Sequence, residues 1–187
     1  MTATLAERRE WGRARRGVAP RSALAEVVSS DTRRDPISLL ESQAASRIPE
    51  LIAIRYGRML ASPLAFFRGA ALIMAADLAG GMDTGLTAQL CGDAHVSNFG
   101  LFASPERSLV FDINDFDETL PGPWEWDVKR LATSLAVAGH VNGFSAAQRE
   151  RAVRTCVAAY RDRMRELAEM RELDVWYAHT SIDRTLE

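Results

Sequence analysis

Apolar positions recur at three- and four-residue intervals through most of the chain and give way to runs of β-formers in two short stretches. This pattern predicts a mainly helical fold with a little strand. Asp35 followed by Pro36 is an N-cap and first-turn pair for a helix through ISLLESQAASR. Pro49 opens a second helix whose Leu51, Ile52, Ile54, Met59 and Leu60 form an apolar stripe. Pro63 opens a third through LAFFRGAALIMAADLA, which is apolar on most sides and is expected to be buried. Ser145 caps a long last helix in which Val153, Val157, Tyr160, Met164 and Leu167 keep helical spacing, while arginines and glutamates mark its wet face.

Between these helices GGMDTG at 80–85 reads as a turn, LTAQLC as a short strand, and SLVFDI at 108–113 as a second strand preceded by a turn at SPER. The two strands are expected to pair as a small hairpin or sheet. Pro121-Gly122-Pro123 interrupts the chain, with Pro123 in the first turn of a helix through WEWDVKRLATSLAVAG that Gly139 or Gly143 ends. The fold class is therefore α+β, mainly helical, with a short two-strand element between helices. Residues 1–32 read as a polar, partly disordered segment and 33–187 as one helical domain.

Composition narrows the partners. Net charge is -2 and the pI is near 6.0, which gives no electrostatic pull toward nucleic acid or an anionic membrane. Arginines at 8, 9, 13, 15 and 16 are interleaved with Glu7 and Glu10, the pattern of a solvated helix. No stretch approaches the ~20 apolar residues of a membrane span, and Cys91 and Cys156 lack the spacing of a zinc site or disulfide framework, so a cytoplasmic protein is expected. Lys129 is the only lysine.

The chemistry concentrates in CGDAHVSNFGLFASPERSLVFDINDFD, where loops bounding strands carry Asp, Asn and His. Asp93 and Asn98 are five apart, the spacing of the Asp and Asn in a kinase catalytic loop. Phosphoryl transfer needs an oriented hydroxyl and a cation on the phosphate oxygens, and hard oxygen ligands suit Mg2+ or Mn2+. Asp93 is the candidate for the hydroxyl proton, Asn98 for metal through its carbonyl oxygen, and Asp115 for bridging metal to phosphate. Asp112 and Asp117 compete for that last role. Asp115-Phe116-Asp117 follows the strand and looks like the kinase Asp-Phe-Gly element, whereas Asp112 falls inside the strand and is a candidate to pair with an arginine or amide.

Each of these residues also has an ordinary reading. Asn98 alone would be a turn residue, and His95 is either hydrogen-bonded to the loop backbone or a substrate group. Trp124 and Trp126 read as core or interface aromatics, and His140 and His179 have no evident partners. Arg68, in an apolar helix, is either a cofactor-binding cation or the partner of an acidic loop residue. Asp127 and Arg130, on the next helix, are candidates to support the loop.

At these residues the chain resembles a prokaryotic family, the domain of unknown function 2252. RRDP at 33–36, LIAIRYGRML, SPLAFFRGAALIMAADLA, QLCGDAHVSNFG, FDINDFDETLPGPWEWDVKRLATS and DVWY carry the resemblance. More distantly it is similar to aminoglycoside phosphotransferases and protein-kinase-like enzymes, whose motif is HGDxHxxN followed by an IDF-type Asp; Cys91 stands here in place of their first His. That likeness implies Asp93 as catalytic base, Asn98 and Asp115 as metal ligands, and Asp127 as loop support; His95 stays a catalytic candidate and Asp117 a metal candidate on the reading of the residues alone. It implies a kinase-like catalytic-lobe portion acting with Mg2+ and ATP on a small molecule.

Neither a Gly-rich phosphate loop nor a phosphate-contacting lysine is in evidence. The resemblance implies longer relatives in which both follow this region, so the chain is expected to match the family's N-terminal part, to bind Mg2+ weakly alone, and to self-associate through exposed apolar surface. The alternatives are a metal-dependent phosphohydrolase and a noncatalytic fragment whose loop acids pair with arginines.

Overall fold

A computed structural model describes residues 4–26 and 32–178; His179 and parts of the predicted polar segment lie outside them. Helix α1 (Leu5–Val18) starts at a capping box between Thr4 and Glu7, and its Arg9 pairs with Glu169 at 2.6 Å. Asp35 accepts from the Ser38 amide at 2.8 Å and opens α2 (Pro36–Ala44). Pro49 begins α3 (Pro49–Met59). Leu39, Leu40, Met59, Ala70 and Ile73 form a small core where these helices meet the next two.

The predicted third helix is two helices, α4 (Pro63–Gly69) and α5 (Ala71–Ala79), broken at Ala70 with φ −117° and ψ 32°. Side chains take over carbonyls that a continuous helix would have bonded: Arg55 donates to Gly69 O at 2.6 Å and Arg130 to Phe67 O at 2.9 Å. Met59 fills the space beside Gly69, where a Cβ would come within 2.7 Å of its Cγ. The expected burial also fails, since α4 has no fully buried residue and α5 has Ile73 alone. Much of their surface lines cavities instead of packed protein.

The strands pair differently from the expected hairpin. β1 (Thr87–Leu90) runs antiparallel to β4 (Leu120–Pro123), with Leu90 opposite Leu120, and β2 (Phe99–Ala103) runs antiparallel to β3 (Leu109–Ile113), with Phe99 opposite Ile113. The Pro-Gly-Pro breaker is thus itself a strand, tolerated because a two-stranded ribbon has only edge strands. The 104–107 turn closes β2 to β3, with Arg107 at φ 64° and its amide on Ser104 O at 2.8 Å.

Three helices complete the described chain. Trp124 leads into α6 (Glu125–Val141), which ends at Asn142 before Gly143 at φ 74°. Ser145 and Gln148 form the capping box of α7 (Ala146–Glu169), and α8 (Glu172–Trp176) follows. Trp124 stacks on Tyr160 of α7 with centroids 5.7 Å apart and donates to Thr84 Oγ1 at 3.0 Å, so it is a packing aromatic. The fold is a mainly helical α+β arrangement in which two ribbons hold the acidic loops against α6.

Candidate functional site

Antiparallel pairing explains why residues far apart in sequence meet. The start of β2 lies beside the end of β3, so Asn98 sits next to Asn114 and Asp115, and the Asn114 amide donates to Asn98 O at 2.9 Å. The Asn98 side chain, buried at 6% exposure, donates Nδ2 to Asp93 O at 3.2 Å and to Asp115 O at 3.0 Å. One amide therefore ties the Asp93 loop to the Asp115 loop. With Nδ2 occupied, Asn98 Oδ1 has no hydrogen-bond partner among the described residues. Cys91, at the position of the kinase-like histidine, joins the same knot: Asn98 Nδ2 reaches its Sγ at 3.5 Å, and Sγ reaches Asp115 O at 3.5 Å. Burial pushes the Cys91 thiol above its ordinary pKa, which makes it a packing group.

Helix α6 holds the other side of the loop with a stripe at helical spacing. Asp127 accepts from the amides of Cys91 at 2.7 Å and Gly92 at 3.1 Å. Burial raises the pKa of its carboxyl, against the lowering effect of those two amides. Arg130, 3% exposed, donates Nε to Asp93 Oδ1 at 2.5 Å, brings Nη2 to the same oxygen, and stacks over the Phe67 ring at 4.4 Å. Ser134, fully buried, accepts from the Val96 amide at 3.1 Å and donates to Leu131 O at 2.7 Å.

Ser134 was not among the residues singled out from sequence. Its signal was there, because Asp127, Arg130 and Ser134 share one helix face. Ser134→Ala leaves the Val96 amide without an acceptor and is expected to cost about 1–2 kcal/mol, measured by chemical denaturation; an unchanged midpoint would count against this bond.

His95 is 6% exposed. Its Nδ1 accepts from the Ser97 amide at 3.1 Å, which puts the proton on Nε2, 3.5 Å from Asp93 Oδ2. Burial lowers the His95 pKa below its ordinary 6.5; Asp93 opposes this, and Arg130 and Arg68 reinforce it. Between the folded value and 6.5 the unfolded chain binds a proton that the folded chain does not. Stability should therefore fall as pH drops below 6.5, by at most about 1.4 kcal/mol per pH unit for this one group. Comparing pH titrations of stability, His95→Gln should flatten that slope, and an identical slope in the variant would exclude His95 as its source.

The three candidate aspartates in and after β3 separate. Asp115 faces a cavity of about 930 Å3 that Asp93 and His95 also line. Asp112, opposite Gly100, turns its Oδ1 to the Ile113 amide at 2.8 Å, and Asp117 donates its own amide to Asp115 Oδ1 at 2.9 Å; neither lines that cavity. Arg55 and Arg58 of α3, Arg68 of α4, and Arg47 from the turn before α3 line the same cavity. Arg68 is exposed and forms no ion pair among the described residues, so the alternative of a buried pair with a loop acid is overturned. Arg47, Arg55 and Arg58 were not recognised from sequence. Arg55 and Arg58 are three apart on a helix, the one available hint.

A second cavity of about 1120 Å3 is an apolar groove between α4–α5 and α6–α7, lined by Phe66, Ile73, Trp124, Val137 and Val157, with Lys129 at its side. No helix among the described residues is long and apolar enough to cross a membrane. Nor do three or more His, Cys, Asp or Glu side chains among them gather as a metal-binding group.

Comparison with curated proteins and with solved structures gives no match. Residues 47–187 match the family described as "Uncharacterized protein conserved in bacteria (DUF2252)", and the chain belongs to that family.

Proposed function

We propose that this chain carries the chemical centre of a kinase-like phosphotransferase that uses ATP and Mg2+ to phosphorylate a small molecule. The observation that carries the reading is the Asn98 amide bridging the carbonyls of Asp93 and Asp115, which joins an acceptor-orienting loop to a metal-binding loop. Asp93 is the group that receives the acceptor hydroxyl. Arg130 fixes its direction, and direction is what phosphoryl transfer asks of such a carboxylate.

The donors present fit Mg2+. Asn98 Oδ1 is free of hydrogen bonds and Asp115 faces the cavity, which gives two hard oxygens. Mg2+ is commonly held by one or two carboxylates together with substrate phosphates and water, so a gathering of three acidic or imidazole groups is not required. When bound, the ion would neutralise charge on the phosphate oxygens. Asp115 and Asn98 would hold it. Asp127 and Ser134 keep the loop amides in place while this happens.

The Arg130–Asp93 pair also suits a noncatalytic chain whose loop acids are structural. An assay of transfer from ATP to a panel of hydroxyl compounds, with and without Mg2+, separates the two. The phosphotransferase reading expects Mg2+-dependent transfer that drops about 100-fold in Asp115→Asn. Absence of transfer from the whole protein, or transfer indifferent to Asp115, would sink it.

A further inference from the structure

We propose that the cavity in front of Asp93 binds an anionic acceptor, a hydroxyl compound bearing a phosphate monoester, through Arg47, Arg55, Arg58 and Arg68. This deepens the phosphotransferase reading and rests on it only for the role of Asp93. The four arginines line the 930 Å3 cavity, and none of them pairs with a carboxylate among the described residues. Of the two aspartates that line the same cavity, Asp93 is already paired with Arg130, which leaves Asp115 and, acting on Arg55, Glu118 as counter-charges.

Arg55 is the most informative member. Its Nη2 is spent on Gly69 O and reaches Gln43 Oε1 at 3.4 Å, whereas its Nη1 is buried with no acceptor. Burial first, and then the neighbouring Arg47, lower its pKa, against the opposing effects of Tyr56 and Glu118. A phosphate against these guanidiniums would offset the repulsion between Arg55 and Arg47.

Asp93, His95 and Asp115 line the cavity and Asn98 does not, so it opens on the acceptor carboxylate and meets the metal-binding loop only at Asp115. Ile48, Leu51 and Ile54, all more than half exposed, line the same space and suit an apolar portion of the ligand. A cationic acceptor would meet four like charges.

The test is binding and transfer by the whole protein with three similar sugars: glucose 6-phosphate, glucose and glucosamine. Inorganic phosphate against chloride at matched ionic strength serves as the minimal probe. Arg47→Gln/Arg58→Gln removes two cations that hold no structural bond among the described residues. Phosphate and glucose 6-phosphate are expected to bind at least 10-fold more tightly than the neutral and cationic sugars. The double variant should lose at least 10-fold of that affinity while its affinity for Mg-ATP stays unchanged.

Equal binding of the three sugars, or phosphate binding indifferent to the double variant, would overturn the proposal. A double variant that loses Mg-ATP instead would assign the arginines to the donor and overturn it as well. Anion binding that obeys the expectation without any phosphate transfer supports the anionic pocket and removes the phosphotransferase reading alone.

Discussion

Arg130→Met is expected to destabilise the protein by about 3–5 kcal/mol, because it strips the partner from a largely buried carboxylate. Arg130 is 3% exposed, and the Asp93 side chain retains 22% of its exposure. Methionine keeps much of the volume and the contact with Phe67, so the loss isolates charge and hydrogen bonding from cavity formation. It also removes the 2.9 Å bond from Arg130 to Phe67 O, leaving that carbonyl the Ala70 amide alone. Urea denaturation at pH 7 should show a lower midpoint with an unchanged slope. The double variant Asp93→Leu/Arg130→Met should recover much of the loss, because removing both charges leaves no uncompensated ion. A single-variant loss under about 1 kcal/mol would show that water, and not Arg130, solvates Asp93.

Gly92→Ala is expected to cost at least about 3 kcal/mol and to disorder the acidic loop. Gly92 has φ +85°, where a Cβ is strained whatever the space around it. A Cβ there would also lie 1.9 Å from Glu118 O and 2.6 Å from its carbonyl carbon, and these are backbone atoms that cannot swing aside. The residue cannot simply retreat, since its amide is one of the two donors to Asp127. Gly57→Ala is the control: it lies inside α3 with nothing within 4 Å of the added methyl and should stabilise by about 0.5–1 kcal/mol. Equal effects at the two glycines would mean that the close approach to Glu118 does not constrain the loop.

Helix starts were legible because their signals are local. Asp35-Pro36, Pro49, Pro63 and Ser145 each announce a first turn within a few residues. The spacing of Asp93 and Asn98, with Asp115 after a strand, located the loops that Asn98 joins. The break at Ala70 was not legible, because Arg55 and Arg130, which hold its carbonyls, are distant in sequence. The pairing of β1 with β4 was hidden for a different reason: a Pro-Gly-Pro segment has the composition of an interruption, and only tertiary placement makes it an edge. The arginine cluster was hidden because cations on a helix ordinarily face solvent, and nothing in RYGRML says that two of them line a cavity with an acidic loop.

Phe67 and Arg68 are neighbours in the chain, yet they serve different sides of the molecule. The Phe67 carbonyl is held by the guanidinium that holds Asp93, while Arg68 lines the cavity in front of Asp93. The path from Arg68 to the Asp93 carboxylate is therefore a short linkage: one peptide, one carbonyl, one guanidinium. Errors in how the helices settle against each other move both ends together and largely cancel between them. The spacing that decides which ligands fit is set by local bond geometry, and it tolerates slack in the rest of a loosely packed fold.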